Sequence, residues 1–414
     1  MRENDSERLS DYHKFLIKKF EISVEKKLVS NKNINILTMK KLFNLILFTV
    51  AVVLLSSCAS KQSSSNFKAF SKLQPIIEKD SVPIMQVAYL QNGNVYTAEL
   101  YNSSIYSDGK IDSLKRHAGE NVFQAASLSK VVFAYIVNKM ADAGEIDLDK
   151  PLCEYTDIKR FTDTVKAKQI TARLVLEHRT GLPNWSESPS SDEWPESAIS
   201  FKFTPDSCFG YSGEGFAFLQ RAVESIKSKD IEQIAKEMVF EPLGMKNSSY
   251  VWLPKYDSLA VDGFNWALEN RGVGNMPRAN VAYSMRTTAT DYMKFLQELI
   301  SNKKAGTIAQ MFKPYPTCAV RYAGEPRSCD STIFWGLGIG TNKIASSNTD
   351  GATKDSYAYW HWGDNGNFKA LFIILPDNSA FVYFTNSAHG HAIVNDVTEI
   401  LVGRTFDIEP WINN

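Results

Sequence analysis

Neither sign of charge is in excess: 46 Lys and Arg face 46 Asp and Glu in 414 residues, so the chain is neutral at pH 7. A nucleic-acid binder would carry a basic surplus or stripe, and that class is set aside. No segment of 20–50 residues recurs, which excludes a solenoid or propeller. No apolar run is long enough to span a bilayer; the one within 39–58 holds about 14 residues. Cysteine is sparse, five in all. What is present is ordinary globular material, 44% hydrophobic and 12% aromatic, long enough for one large domain or two lobes. The aromatic content suits a large core and an aromatic-lined cleft.

The short apolar run has a basic start, Met39-Lys-Lys, and a small-residue end, Leu55-Ser-Ser-Cys58. That is the layout of a signal peptide over 39–57, and its end resembles a bacterial lipobox with Cys58 as the lipidated residue. A plain signal-anchor with Cys58 incidental is the alternative. Residues 1–38 have no signal character and read as a start-site artefact or a disordered lead. Residues 58–70 form a polar tether, and 71–414 the folded domain. The expected location is the bacterial cell envelope, outside the inner membrane, held there by lipid. In that oxidising compartment Cys318 and Cys329, which bracket a short loop, are the better bridge. Cys153 and Cys208 would make a second bridge or stay as free thiols, and spacing alone does not choose among the three connectivities.

Within the folded part, alternating runs at 83–90 and 94–101 flank Asn92-Gly93 and predict a β-hairpin. An apolar helix follows to Gly144. Helical periodicity marks 170–178, 216–226, 231–240 and 290–301. Beyond 330 the texture turns to strands, at 334–340, 357–363, 368–375 and 380–385, and a helix over 392–402 closes the chain. Strands from both ends must share one antiparallel sheet, since neither set suffices alone. The sheet lobe is therefore assigned to 80–125 and 330–414 and an all-helical lobe to about 155–310, with a cleft between them.

The chemistry begins with Ser127-Leu-Ser-Lys130, at the start of the first long helix. Residues at i and i+3 share a helix face, so the amine reaches the hydroxyl. A lysine desolvated by apolar walls can lose its proton and act as a base toward serine. The helix start adds free N–H groups that favour developing negative charge. Tyr211, in Phe209-Gly-Tyr-Ser-Gly213, stands before another apolar helix and is expected to shuttle protons, its phenol lowered by a nearby lysine. His361-Trp-Gly363-Asp364 lies on a late strand. There Gly363 would admit a substrate chain, and the Asp364 N–H would point into the cleft.

In this order the three segments resemble the penicillin-recognising serine hydrolases of the class C β-lactamase type, a group with D-Ala-D-Ala carboxypeptidases, D-aminopeptidases and β-lactamase-fold esterases. Supporting segments are His178-Arg-Thr-Gly-Leu-Pro183, Phe240-Glu-Pro-Leu-Gly-Met245 and Ile146-Asp-Leu-Asp-Lys-Pro151. The resemblance covers roughly 80–405. It implies an α+β, β-lactamase/transpeptidase-like fold: a mainly antiparallel sheet flanked by helices, plus a helical lobe. It also implies an acyl-enzyme on Ser127, with Lys130, Tyr211 and His361 catalytic. The N–H groups of Ser127 and Asp364 would hold the oxyanion, and Trp362, Gly363 and Gly213 would contact substrate. No cofactor is implied.

Two departures narrow the expectation. Gly213 stands where the family carries an asparagine that holds an acylamino group. His361-Trp362 replaces Lys-Thr, exchanging a fixed cation for a histidine titrating near neutrality. The reading is a lipid-anchored hydrolase of esters or peptide amides rather than an efficient β-lactamase, acting on a small-molecule or peptide substrate. The alternatives are a catalytically silent member that binds cell-wall peptide or a partner protein, and a true β-lactamase. Ser191-Asp-Glu193 resembles the Ser-Asp-Asn of class A enzymes, with the wrong third residue. His389-Gly-His391 has no third metal ligand in view and is read as the turn into the last helix, at the cleft rim.

Overall fold

The computed structural model describes residues 67–274, 276–319, 328–344 and 355–412. The stretch read as a signal peptide, Cys58 with its expected lipidation, and most of the expected tether lie outside them. Among the described residues no helix is long and apolar enough to cross a membrane.

The predicted hairpin forms as β1 (Ile84–Gln91) and β2 (Asn94–Tyr101). Asn92 and Gly93 both take positive φ, 50° and 77°, the pairing that a type I′ turn demands. After it come two two-residue strands, β3 (Phe123–Gln124) and β4 (Arg286–Thr287), which pair with each other. The C-terminal strands are β5 (Tyr315–Ala319), β6 (Ser328–Trp335), β7 (Gly340–Ile344), β8 (Ser356–Asp364), β9 (Lys369–Ile374) and β10 (Ala380–Thr385). One eight-stranded sheet results, in the order β2-β1-β10-β9-β8-β7-β6-β5. Every pairing is antiparallel, and the two ends of the chain meet at β1 and β10, from Met85 opposite Thr385 to Leu90 opposite Ala380.

The principal helices are α1 (Gln74–Lys79), α2 (Leu128–Asp142), α3 (Gly213–Lys227), α4 (Ala289–Ser301) and α5 (Val394–Val402); α3 packs among helices, with Phe216 against Phe133 of α2. Alternation along the strands sends side chains to two separate cores. Phe372, Ile374, Val382 and Phe384 face the core of α2 and α4, whereas Leu371, Ile373, Phe381 and Tyr383 face Leu73, Ile77, Val397 and Leu401 of the other layer. Burial on both faces explains why β9 and β10 read as continuous apolar runs instead of alternating ones. α4, drawn from the stretch assigned to the helical lobe, instead covers the sheet, with Tyr292 against Phe372 and Phe384.

Three local expectations shift. The stretch 334–340 is two strands joined by a turn, because Gly338 adopts φ 97° and a Cβ on Gly336 would strike the Met311 carbonyl. The helix expected over 170–178 shrinks to Ala172–Leu176, since His178 turns left-handed at φ 55°. The 231–240 helix ends in a π-turn over Lys236–Phe240. Cys318 and Cys329 form the expected bridge, directly opposite one another on β5 and β6, and Cys153 and Cys208 are free thiols.

Candidate active site

Ser127 is the N-cap of α2, and the chain reaches it through Ala126 at φ 48°. A left-handed alanine is strained, and such strain persists only where surrounding packing imposes it. Here the imposing element is β8. A Cβ on Gly363 would lie 2.5 Å from the Ala125 carbonyl, so only glycine lets the strand press against the turn that presents Ser127. Gly363 therefore serves this backbone contact; it was expected to admit a substrate chain. The close approach brings Asp364 to the same cleft as Ser127 and Lys130, a space of about 270 Å³.

Lys130 is 1% exposed on a helix whose inner turns are wholly buried. Its Nζ lies 3.1 Å from Ser127 Oγ and donates to the Ala282 carbonyl at 2.7 Å. Phe216 and Tyr211 present ring faces at 5.7 and 4.8 Å. Burial alone pushes the amine down to about 7, and no carboxylate opposes the shift. A neutral amine there donates to Ala282 while its lone pair faces the serine proton.

Tyr211 ends the turn before α3, whose N-cap Ser212 accepts from Gly215 N at 3.0 Å. Burial raises the phenol above its ordinary value, and Ser127 is the neighbour that draws it back; Asp364 adds a smaller upward push. The expectation of a phenol lowered by lysine is thus corrected: Lys130 is the group shifted downward, and Tyr211 is raised and stays neutral. The phenol oxygen is out of solvent and has no hydrogen bond of good geometry.

His361 is corrected more sharply. It is wholly buried, with Nδ1 2.7 Å from the Trp362 carbonyl, so Nδ1 carries the proton and Nε2 is left without a partner. Burial, and secondarily the Lys130 charge, lower it to about 3. It neither titrates near neutrality nor acts as a cation, and it does not line the cleft. Trp362 is also absent from the cleft lining; its ring stacks on Trp360 and leans on Tyr211 at 5.0 Å. Gly213 makes room for Trp185, whose indole fills the space a side chain would need. Its N–H is taken by the Asn184 carbonyl and Oδ1. The missing asparagine is therefore replaced in space by a tryptophan.

Asp364 lines the cleft, and its Oδ1 accepts from Lys369 Nζ at 2.5 Å and from Gly366 N at 2.7 Å. Among the described residues no group of three His, Cys, Asp or Glu converges to hold a metal. His389 Nε2 contacts the Trp266 carbonyl, while His391 is buried beside Lys369.

Several cleft residues were not anticipated: Gln124, Asn184, Trp185, Arg271, Tyr283 and Asn365. Asn365 donates to Gln124 Oε1 at 2.8 Å and ties β8 to the Ser127 turn. The Ala282 carbonyl left no signal at all, being backbone. Arg271 sits in Asn270-Arg-Gly-Val-Gly274, where the two glycines mark a loop but not its destination.

The beta-lactamase family's sequence profile matches residues 69–402. The D-alanyl-D-alanine-carboxypeptidase/endopeptidase AmpH of Escherichia coli K12 is 26% identical over 147 residues, which are 33% of this chain and 38% of AmpH. Penicillin-binding protein 4 of Amycolatopsis lactamdurans is 26% identical over 137 residues, 31% and 36% of the two chains. The chain thus matches well under half the length of these relatives. A class C beta-lactamase structure superposes with a TM-score of 0.61 at 18% identity, over 81% of this chain and 96% of that one. A D-stereospecific amidohydrolase from Streptomyces sp. gives 0.63 at 16% identity, over 82% and 100%. Both likenesses carry the expected β-lactamase/transpeptidase-like fold, and the profile match shows that this chain belongs to the beta-lactamase family.

Proposed function

We propose that the protein is a serine hydrolase that forms an acyl-enzyme on Ser127 and cleaves esters or peptide amides. The observation that carries the reading is a lysine amine, held near pKa 7, 3.1 Å from the Ser127 hydroxyl. Lys130 removes the serine proton as Oγ attacks the substrate carbonyl. The oxyanion is received by the N–H of Ser127, which has no intrahelical acceptor at the N-cap, and by that of Asp364. Tyr211 gives its proton to the leaving group and takes one from the Lys130 ammonium, so the acyl-enzyme stands beside a neutral lysine. Water then attacks the ester, its proton returns through the same pair, and Ser127 is released.

Two features favour esters and small peptides over penicillins. Trp185 fills the position from which an asparagine would hold an acylamino group, and His361 is a buried neutral ring where a fixed cation would bind a carboxylate. The presence of a complete Ser127–Lys130–Tyr211 set disfavours a silent binding protein. The proposed location is the cell envelope, anchored through lipid on Cys58; Cys58→Ala would then move the protein from the membrane to the soluble fraction.

The test is a fluorophosphonate probe followed by peptide mass spectrometry, with Ser127→Ala as control. A panel of a short-chain nitrophenyl ester, a D-Ala-D-Ala peptide, a D-amino-acid amide and a cephalosporin then ranks substrates. Labelled Ser127 and a cleaved ester are expected, with the cephalosporin barely turned over. An unlabelled Ser127, or equal turnover by the alanine variant, would overturn the proposal.

A further inference from the structure

The Tyr211 phenol meets Ser127 without a hydrogen bond of good geometry, so what grips its backbone and ring must contribute to its orientation. One residue does both. The His178 carbonyl accepts from Gly210 N at 2.7 Å, and its ring Nδ1 accepts from Ser212 N at 3.1 Å. The N–H groups of the two residues flanking Tyr211 are therefore both clipped to His178, one to its backbone and one to its ring. The imidazole also lies against the phenol ring, centroids 4.2 Å apart and planes 31° from parallel.

Nothing about this residue suggests an incidental core histidine. It is wholly buried and left-handed, a conformation uncommon for any residue but glycine. Because Nδ1 accepts, Nε2 carries the proton, and that N–H has no acceptor in the protein. Apolar burial of an unmatched donor is unfavourable, so the ring is retained for something other than its own stability. The next residue extends the grip: Arg179 accepts from Asp206 N through its carbonyl and pairs with the Asp206 carboxylate. A short turn at 177–179 thus holds the 206–212 segment at three places.

We infer that His178 is a positioning residue, which fixes the Tyr211 phenol over the Ser127–Lys130 pair by clamping the N–H of each flanking residue and backing the ring. The inference rests on the proposed role of Tyr211 and extends it. A phenylalanine would supply the ring face without the acceptor, and an asparagine the acceptor without the face. Only histidine supplies both from a left-handed position. The segment His178-Arg-Thr-Gly-Leu-Pro183 is accordingly part of the site, although its histidine never reaches the cleft.

The experiment is a double-mutant cycle on the full chain, reading kcat and KM for a nitrophenyl ester and thermal unfolding of each variant. His178→Asn tolerates positive φ and keeps the acceptor; His178→Ala removes both contacts. Expected are a roughly 100-fold fall in kcat for the alanine variant and a roughly 10-fold fall for asparagine, with KM within about threefold. Neither change should cost more than about twofold further in a Tyr211→Phe background. Losses that multiply with Tyr211→Phe would overturn the inference while leaving the hydrolase intact, as would wild-type kcat in His178→Ala. If Tyr211→Phe itself retains wild-type kcat, the role of Tyr211 falls, and His178 as its positioner falls with it. Should the alanine variant fail to fold, the asparagine cycle decides by the same criteria.

Discussion

Lys130→Met separates the catalytic from the structural consequence of burying an amine. In the folded protein Lys130 titrates near 7, against an ordinary 10.5. That depression of about 3.5 pH units corresponds to roughly 5 kcal/mol of preference for the neutral form. The sign follows from linkage. Between 7 and 10.5 the unfolded chain holds a proton the folded one has released, so stability rises with pH across that window. It is fully present above 10.5 and is lost as pH falls to about 7. Acylation has the same direction, because only the neutral amine can accept the serine proton. Wild-type labelling by a fluorophosphonate should climb about tenfold per pH unit below 7 and level off above it. Lys130→Met, similar in volume and uncharged, should abolish labelling. Urea unfolding from pH 6 to 10 should show the variant more stable than wild type at pH 6 by several kcal/mol, with the gap closing toward pH 10. A flat labelling profile from pH 5 to 9, or a stability gap independent of pH, would refute the assignment of Lys130 as the buried neutral base.

Other outcomes follow from the same geometry. Tyr211→Phe should lower kcat on an amide by about 10²–10³-fold with little change in KM, read by steady-state kinetics. Gly363→Ala places a Cβ 2.5 Å from the Ala125 carbonyl and should cost about 1–3 kcal/mol in denaturant unfolding, with loss of ester turnover as β8 moves off Ser127. Gly213→Asn should destabilise on its own because Trp185 fills the space, and Trp185→Ala should relieve most of that loss; purely additive melting shifts would count against the packing described. The Cys318–Cys329 bridge closes a separation of 11 residues, so replacing both by serine should cost about 2–3 kcal/mol in chemical unfolding.

The sheet was legible because its strands carry local signals: Asn92-Gly93 fixes the hairpin, and the apolar runs at 368–375 and 380–385 became β9 and β10 with ends shifted by at most a residue at each boundary. The serine and lysine were legible because helical spacing alone puts them on one face. Misreadings arose where tertiary contacts override type. His361 reads as a titratable group until burial is known, and Gly363 reads as an opening and Gly213 as a substrate contact until Ala125 and Trp185 are seen beside them. His178 was visible only as part of a motif, since its work is done through backbone amides 32 and 34 positions further along.

The pairing of β1 with β10 has a consequence in time. Met85 and Thr385 are about 300 residues apart, and the sheet's two parts join only at that seam. A chain leaving the ribosome presents Ser127 and Lys130 long before β8 exists to press against Ala125, and β1 waits for the last strand to emerge. Such non-local closure is slow, because the loop entropy must be overcome before the contacts that repay it can form. During synthesis, on the proposed mechanism, Ser127 therefore lacks Asp364 as its second oxyanion donor. On the proposed mechanism the site is complete only once the late strands are in place, so its assembly follows from the connectivity of the sheet.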